Sequence, residues 1–232
     1  MFNKSVPIAS KNLRRILVTG AGGFIGHHLV KYLKSSGHWV RGVDLVEPKY
    51  EPTQADEFIK SDLREFENCV TAVNNIDDVY NLAADMGGIG YISANHALLT
   101  RNNALINMHM LEAARLAGVD RYLYTSSACV YPSFLQDDED VTPLSEEQAV
   151  PADPEKGYGW EKLFAEQLAT YYHEEFGLNI RIVRFHNIYG PLGTYDGGRE
   201  KAPAAICRKV AVAESGTSLE VWGDGKQTRS FC

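Results

Sequence analysis

A doubly wound parallel α/β sheet, followed by the beginning of a smaller C-terminal substrate domain, is the fold class this sequence predicts. Three observations predict it. Short β-branched runs alternate with stretches of helical period, a glycine turn (Gly20-Ala-Gly-Gly23-Phe-Ile-Gly26) closes the first apolar run, and an acid, Asp44, ends the second.

Arg15 to Thr19 is the first strand, and after the glycine turn apolar residues recur at helical spacing from Phe24 to Lys34. Trp39 to Asp44 makes a second strand, and Asp62-Leu63 follows the third. Asp78 to Ala83, Arg121 to Thr125 and Asn179 to Phe185 make the others. Leu63 to Val73, Ala94 to Leu116 and Glu155 to Phe176 read as helices between them. Tyr131 to Lys156 carries Pro132, Pro143, Pro151 and Pro154 with an Asp-Asp-Glu-Asp run, the pattern of a solvated surface excursion that forms no core. After Tyr189-Gly-Pro191, Gly/Pro-rich loops surround a helix at about Ala202 to Ala213 and a short strand at about Leu219 to Trp222. The expected division is a dinucleotide-binding domain over 1–190, of Rossmann type, and a partial substrate domain over 191–232 that stops abruptly at Cys232.

At 232 residues, 44% hydrophobic and 23% charged, the chain has the composition of an ordinary globular protein. A net charge of -7 disfavours nucleic acid and anionic membranes, which reward basic surfaces. The four cysteines, at 69, 129, 207 and 232, form no Cys-x-x-Cys pair, so the pattern suggests neither a disulfide framework nor a metal site. With no apolar stretch near the ~20 residues of a membrane span, the expected location is cytoplasmic.

Gly20, Gly23 and Gly26 suit a tight turn, close approach of backbone to a pyrophosphate and close helix–strand packing, with Phe24 and Ile25 at the helix N-terminus. Asp44 suits the adenosine ribose and would repel a 2'-phosphate, which favours NAD over NADP. Asp62 and Leu63 suit the adenine edge, with a helix N-cap the equal alternative for Asp62. Ala83 and Ala84, at the end of the fourth strand, together with Tyr158 and Lys162 complete the expected cofactor contacts. Tyr158 and Lys162 share a helix face at i and i+4, so the ammonium can favour the ionised phenol and make it a base for a hydroxyl proton.

Asn81-Leu-Ala-Ala84, Thr125-Ser-Ser127-Ala-Cys129-Val-Tyr131-Pro and Tyr158-x-x-x-Lys162, in this order, resemble the extended short-chain dehydrogenase/reductase family of sugar-nucleotide enzymes. Arg184-Phe-His-Asn-Ile-Tyr-Gly190, Gly197-Gly-Arg-Glu-Lys-Ala-Pro-Ala-Ala205 and Trp222-Gly-Asp-Gly-Lys-Gln-Thr-Arg-Ser-Phe231 narrow the resemblance to epimerases of that family. The resemblance implies NAD as cofactor, GDP-mannose or a related nucleotide sugar as substrate, and a homodimer. It implies Ser127, Tyr158 and Lys162 as the oxidation group, with Cys129 as base and Lys201 as acid on opposite faces of the sugar. Cations near Cys129 are expected to favour its thiolate. Gly87, Gly88, Asn187, Glu200, Lys201, Lys209, Gln227 and Arg229 match family positions that contact sugar or diphosphate. Asn102 or Asn103 is expected to hold water or backbone, with helix–helix polar contact as the alternative, and His186 reads as structural. An epimerase-reductase, a dehydratase and a non-catalytic nucleotide-binding fragment remain the alternatives.

Overall fold

The computed structural model of the protein describes residues 13–135, 143–221 and 231–232. Six strands, β1 (Arg15–Thr19), β2 (Trp39–Asp44), β3 (Glu57–Lys60), β4 (Asp78–Asn81), β5 (Arg121–Ser127) and β6 (Ile180–Phe185), form one sheet in the order β3-β2-β1-β4-β5-β6. Every pairing is parallel. The helices are α1 (Phe24–Ser35), α2 (Phe66–Val73), α3 (Ile89–Ala94), α4 (His96–Ala117), α5 (Tyr158–Phe176) and α6 (Ala202–Val212).

The period of two along β1 sorts its side chains between two cores. Leu17 joins Val43, Val79, Tyr122 and Tyr124 against Met110 and Leu111 of α4 and Ala165 and Ala169 of α5. Ile16 and Val18 point the other way, to Val40 and to Val30 and Leu33 of α1. With helices on both faces, the order of connections reverses between β1 and β4, and the crevice at their C-terminal ends is where such sheets take ligands.

Three expectations need correction. The helix expected from Ala94 is two helices, α3 and α4, because Asn95 leaves helical geometry at φ -132 and ψ 33. The excursion from Tyr131 contributes a small core of its own: Tyr131 and Ala149 are buried with Val130 and Leu163, and Leu144 packs on them. Proline punctuation marked the irregular backbone there correctly, while the apolar residues between the prolines still found a face to cover. Leu219 to Val221 carry no regular structure, and Trp222 and the Asp-Asp-Glu-Asp run lie outside the described residues. No helix among the described residues is long and apolar enough to cross a membrane.

Candidate active site

The glycine turn is built from close backbone approaches. Gly20 has φ +68, and a Cβ on Gly26 would lie 2.1 Å from the Gly20 carbonyl, so α1 starts directly against the end of β1. Gly23 caps α1 without a side chain, and no acidic residue occupies its first turn, which leaves the amides and the positive helix end clear for an anion. Phe24 and Ile25 begin that helix. The amide of Gly22 donates to Asp44 Oδ2 at 3.0 Å, so the acid at the end of β2 also braces the turn. Across the crevice, Thr19 Oγ1 accepts the amides of Leu82 (3.1 Å) and Ala83 (3.0 Å) and donates to Asn81 Oδ1 at 2.7 Å. This bond pattern fixes the start of the Ala83-Ala84 loop against β1. A side-chain-free cradle, an open helix N-terminus and a carboxylate after β2 together fit a dinucleotide.

Asp62 does not cap a helix. Its carboxylate accepts Arg64 N at 3.0 Å and Arg64 Nε at 2.9 Å, and the Arg64 side chain holds its pKa below the usual value, while α2 takes Glu65 as its N-cap. Leu63 is buried in the main core.

β5 delivers Ser127, whose Oγ accepts the Cys129 amide at 3.2 Å and so caps the 3-10 turn Ala128–Val130. The start of α5 is pressed against that turn. The Glu155 amide donates to the Cys129 carbonyl at 3.0 Å, and a Cβ on Gly159 would stand 2.2 Å from the same oxygen. Tyr158 and Lys162 are both buried, at 4% and 2% exposure. Lys162 Nζ donates to the Thr125 carbonyl at 3.0 Å and lies 5.6 Å from the Tyr158 ring centre. The pair therefore meets on one face, as its spacing predicts.

The electrostatics differ from the expectation. Burial pushes the Tyr158 phenol well above its ordinary value, reinforced by Cys129, Glu161 and Glu155, and burial lowers the Lys162 ammonium. The protein alone does not ionise Tyr158, because removing both groups from water disfavours charge on each. The Cys129 thiol is likewise pushed up to about 12, first by burial and then by the negative charge of nearby Glu155; Ser127 and Lys201 pull the other way. The expected thiolate-favouring surroundings are thus outweighed by burial, to which a neighbouring carboxylate adds. Lys201 is half-buried and its pKa is lowered by burial, with Cys129 opposing the shift. Cys129 and Lys201 therefore sense one another.

Among the residues expected to contact substrate, the Gly88 amide donates to the Arg199 carbonyl at 3.1 Å, and a Cβ on Gly88 would meet the Glu200 carbonyl at 2.5 Å. Gly87 packs against the Tyr91 side chain. Glu200 is bound within its own loop, accepting the Gly198 amide at 2.7 Å and Arg208 Nη2 at 3.4 Å. Asn187 pairs with Phe231 in a short parallel bridge. Lys209 stands apart, its Nζ donating to the Glu220 carbonyl at 2.6 Å beside an open hollow of about 490 Å³. Gln227 and Arg229 lie outside the described residues. The His186 ring lies 6.5 Å from that of Tyr131. Asn103 takes the backbone role, accepting the Asp85 amide at 2.6 Å and donating to its carbonyl at 3.0 Å.

Sequence reasoning missed Thr19, Glu155 and a buried relay behind the site. In that relay Asn81 Nδ2 donates to Asn107 Oδ1 at 3.0 Å, and Asn107 Nδ2 donates to Glu161 Oε1 at 2.6 Å. Thr19 was findable as a hydroxyl ending an apolar strand. Glu155 and Glu161 carry no local signal, since an acid near a helix start usually faces water.

A model of the NAD dependent epimerase/dehydratase family matches residues 16–232. The chain is 50% identical over 224 residues to GDP-mannose 3,5-epimerase of Arabidopsis thaliana, covering 96% of this chain and 59% of that one. It is 51% identical over 219 residues to GDP-mannose 3,5-epimerase 1 of Oryza sativa subsp. indica, covering 94% and 57%. The chain thus spans less than two thirds of the length of these curated relatives. Among solved structures, UDP-glucose 4-epimerase of Thermotoga maritima with UDP-glucose matches with a TM-score of 0.80 at 26% identity, over 94% of this chain and 68% of that one. The Thermus thermophilus UDP-glucose 4-epimerase complex with NAD matches with a TM-score of 0.69 at 28% identity, over 79% and 58%. A six-stranded parallel sheet, a glycine cradle and a Tyr/Lys pair at the crevice agree with these matches: the chain belongs to the NAD dependent epimerase/dehydratase family.

Proposed function

We propose that this chain is the cofactor-binding and catalytic part of a GDP-mannose 3,5-epimerase, interconverting GDP-mannose and GDP-L-galactose. The observation that carries the reading is Cys129 packed against buried Tyr158 next to Lys162, in a chain whose plant relatives bear that name; the charge of Lys201 acting on the thiol accords with it. NAD, held by the turn at Gly20, Gly23 and Gly26 and by Asp44, would supply a reversible hydride acceptor for sugar C4 and, in its oxidised form, a positive charge that favours the phenolate of Tyr158.

Tyr158 takes the C4 hydroxyl proton, with Ser127 orienting that hydroxyl and Lys162 stabilising the phenolate. A C4 ketone acidifies the hydrogens at C3 and C5. Cys129 starts protonated, so its proton passes to the Glu155 carboxylate as the sulfur removes a ring C–H proton and the electron pair enters the enolate. Lys201 then delivers a proton to the opposite face, inverting that carbon. Its lowered pKa, caused by burial, makes the ammonium a readier donor. Asp44 favours NAD through the ribose, and Gly87 and Gly88 let backbone approach the sugar. Asn187, Glu200, Lys209, Gln227 and Arg229 are the remaining proposed substrate contacts.

In the same reading, residues 1–190 form the dinucleotide domain and 191–232 the start of the substrate domain. The chain pairs as a homodimer through α4 and α5, which leave Leu98, Trp160, Phe164 and Tyr171 exposed. A reducing, cytoplasmic setting suits its four free thiols.

Incubation with NAD and GDP-mannose in D2O, followed by NMR, should show deuterium entering at C3 and C5. Cys129→Ser should suppress that entry while NAD stays bound. Absence of label at both carbons in the unaltered protein would overturn the assignment.

A further inference from the structure

Asp85, in the loop after β4, is gripped from α4 by Asn103 and by Asn102, whose Nδ2 donates to Asp85 Oδ2 at 2.9 Å. The other carboxylate oxygen accepts the Tyr91 hydroxyl at 3.0 Å and faces Arg199 Nη1 at 3.4 Å. Arg199 completes the connection: its Nη2 donates to the Tyr91 hydroxyl at 2.5 Å, its Nη1 reaches the Met86 carbonyl at 3.4 Å, and its guanidinium lies 3.9 Å from the Tyr91 ring centre. The backbone of the same residue accepts the Gly88 amide. Two residues further on is Lys201, the N-cap of α6, a helix that buries no residue of its own. The place of Lys201 relative to Cys129 therefore rests on the segment that precedes it, and that segment is fastened to the β4 loop through Arg199.

We propose that Arg199, clasped by Tyr91 and Asp85, is a positioning residue that holds the Lys201 amine opposite the Cys129 thiol. The planar guanidinium suits the task because it reaches the hydroxyl, the carboxylate and the ring face together, which a single ammonium cannot do. The role assigned to Lys201 rests on the function proposed above; the fastening itself does not.

Two measurements on the full chain separate these claims. The first follows GDP-mannose with bound NAD in D2O and compares C4 oxidation, read as reduced nicotinamide, with deuterium entry at C3 and C5. Arg199→Met should leave oxidation unchanged and slow label entry on the order of 10- to 100-fold, since small misplacements of a reacting group cost that much. Tyr91→Phe should slow it less, and Arg199→Lys should recover only part of the loss. Equal loss of both steps, or no loss of either, overturns the positioning role. The second measurement needs no substrate. Backbone hydrogen exchange by mass spectrometry should accelerate several-fold over residues 197–205 in Arg199→Met, with β1 peptides unchanged. Unchanged exchange over 197–205 refutes the fastening even if the unaltered protein proves to have no epimerase activity. If Arg199→Met does not fold, Tyr91→Phe, which loses one hydroxyl, carries both readings.

Discussion

On the cofactor side of the crevice, position is set by backbone pressed on backbone and by buried bonds. Gly26 sits against the Gly20 carbonyl, and Thr19, Asn81, Asn107 and Glu161 form a hydrogen-bonded series from β1 to α5. On the proposed substrate side, α6 has no fully buried residue, and its entry is held by one exposed guanidinium clasped by Tyr91 and Asp85 and by the backbone contact at Gly88. The first arrangement is part of the core and cannot loosen without loss of stability. The second can loosen with little effect on stability while altering where an amine points, so the two sides should answer mutation in different currencies.

The contrast breaks first, and by the largest margin, if truncations cost alike on both sides. Leu111→Ala, at a fully packed α4 position, should destabilise by about 2–5 kcal/mol in urea unfolding. Val212→Ala, 74% exposed on α6, should stay within about 0.5 kcal/mol. Next comes the turn: in Gly26→Ala the new methyl meets a backbone carbonyl that cannot step aside, so a loss toward the upper end of about 1–3 kcal/mol is expected, together with weaker NAD retention. An alanine variant of unchanged midpoint and unchanged cofactor content would remove the close-approach argument.

The smallest effect sharpens the comparison by its pH dependence. Burial raises the Glu161 pKa above 4.5, against the pull of Lys162 and the hydrogen bonds from Asn107 and Asn103. The folded state thus holds this proton more tightly than the unfolded chain does. Its contribution to stability is complete below the unfolded pKa and is lost as pH rises through the folded value. Glutamine does not titrate, so the stability of Glu161→Gln relative to the unaltered protein should climb as pH rises above about 4.5. Parallel stability curves for the two proteins would mean that the carboxyl is not desolvated in the fold.

The same contrast explains what could be read from residues alone. The glycine turn, Asp44 and the Tyr158/Lys162 spacing are local patterns, and each appears in the fold where its period placed it. Asn95 was missed as a helix break because no proline or glycine marks it. The core under Tyr131 and Ala149 was missed because the residue they close on, Leu163, lies on α5, far along the chain from Tyr131. The carboxylate beside Cys129 was invisible for the same reason: Glu155 reaches the thiol only because α5 closes on the end of β5.

Periodicity, turn chemistry and motif spacing by themselves determined the alternation of strands and helices, the cradle at β1 and the meeting of Tyr158 and Lys162 on one helix face. Those features follow from backbone sterics and from interactions a few residues long. Only the tertiary structure decided the charge environment of those side chains. A pKa depends on which groups and how much water surround it, and here burial beneath α5, the approach of Glu155 and the clasp on Arg199 join residues from distant parts of the chain.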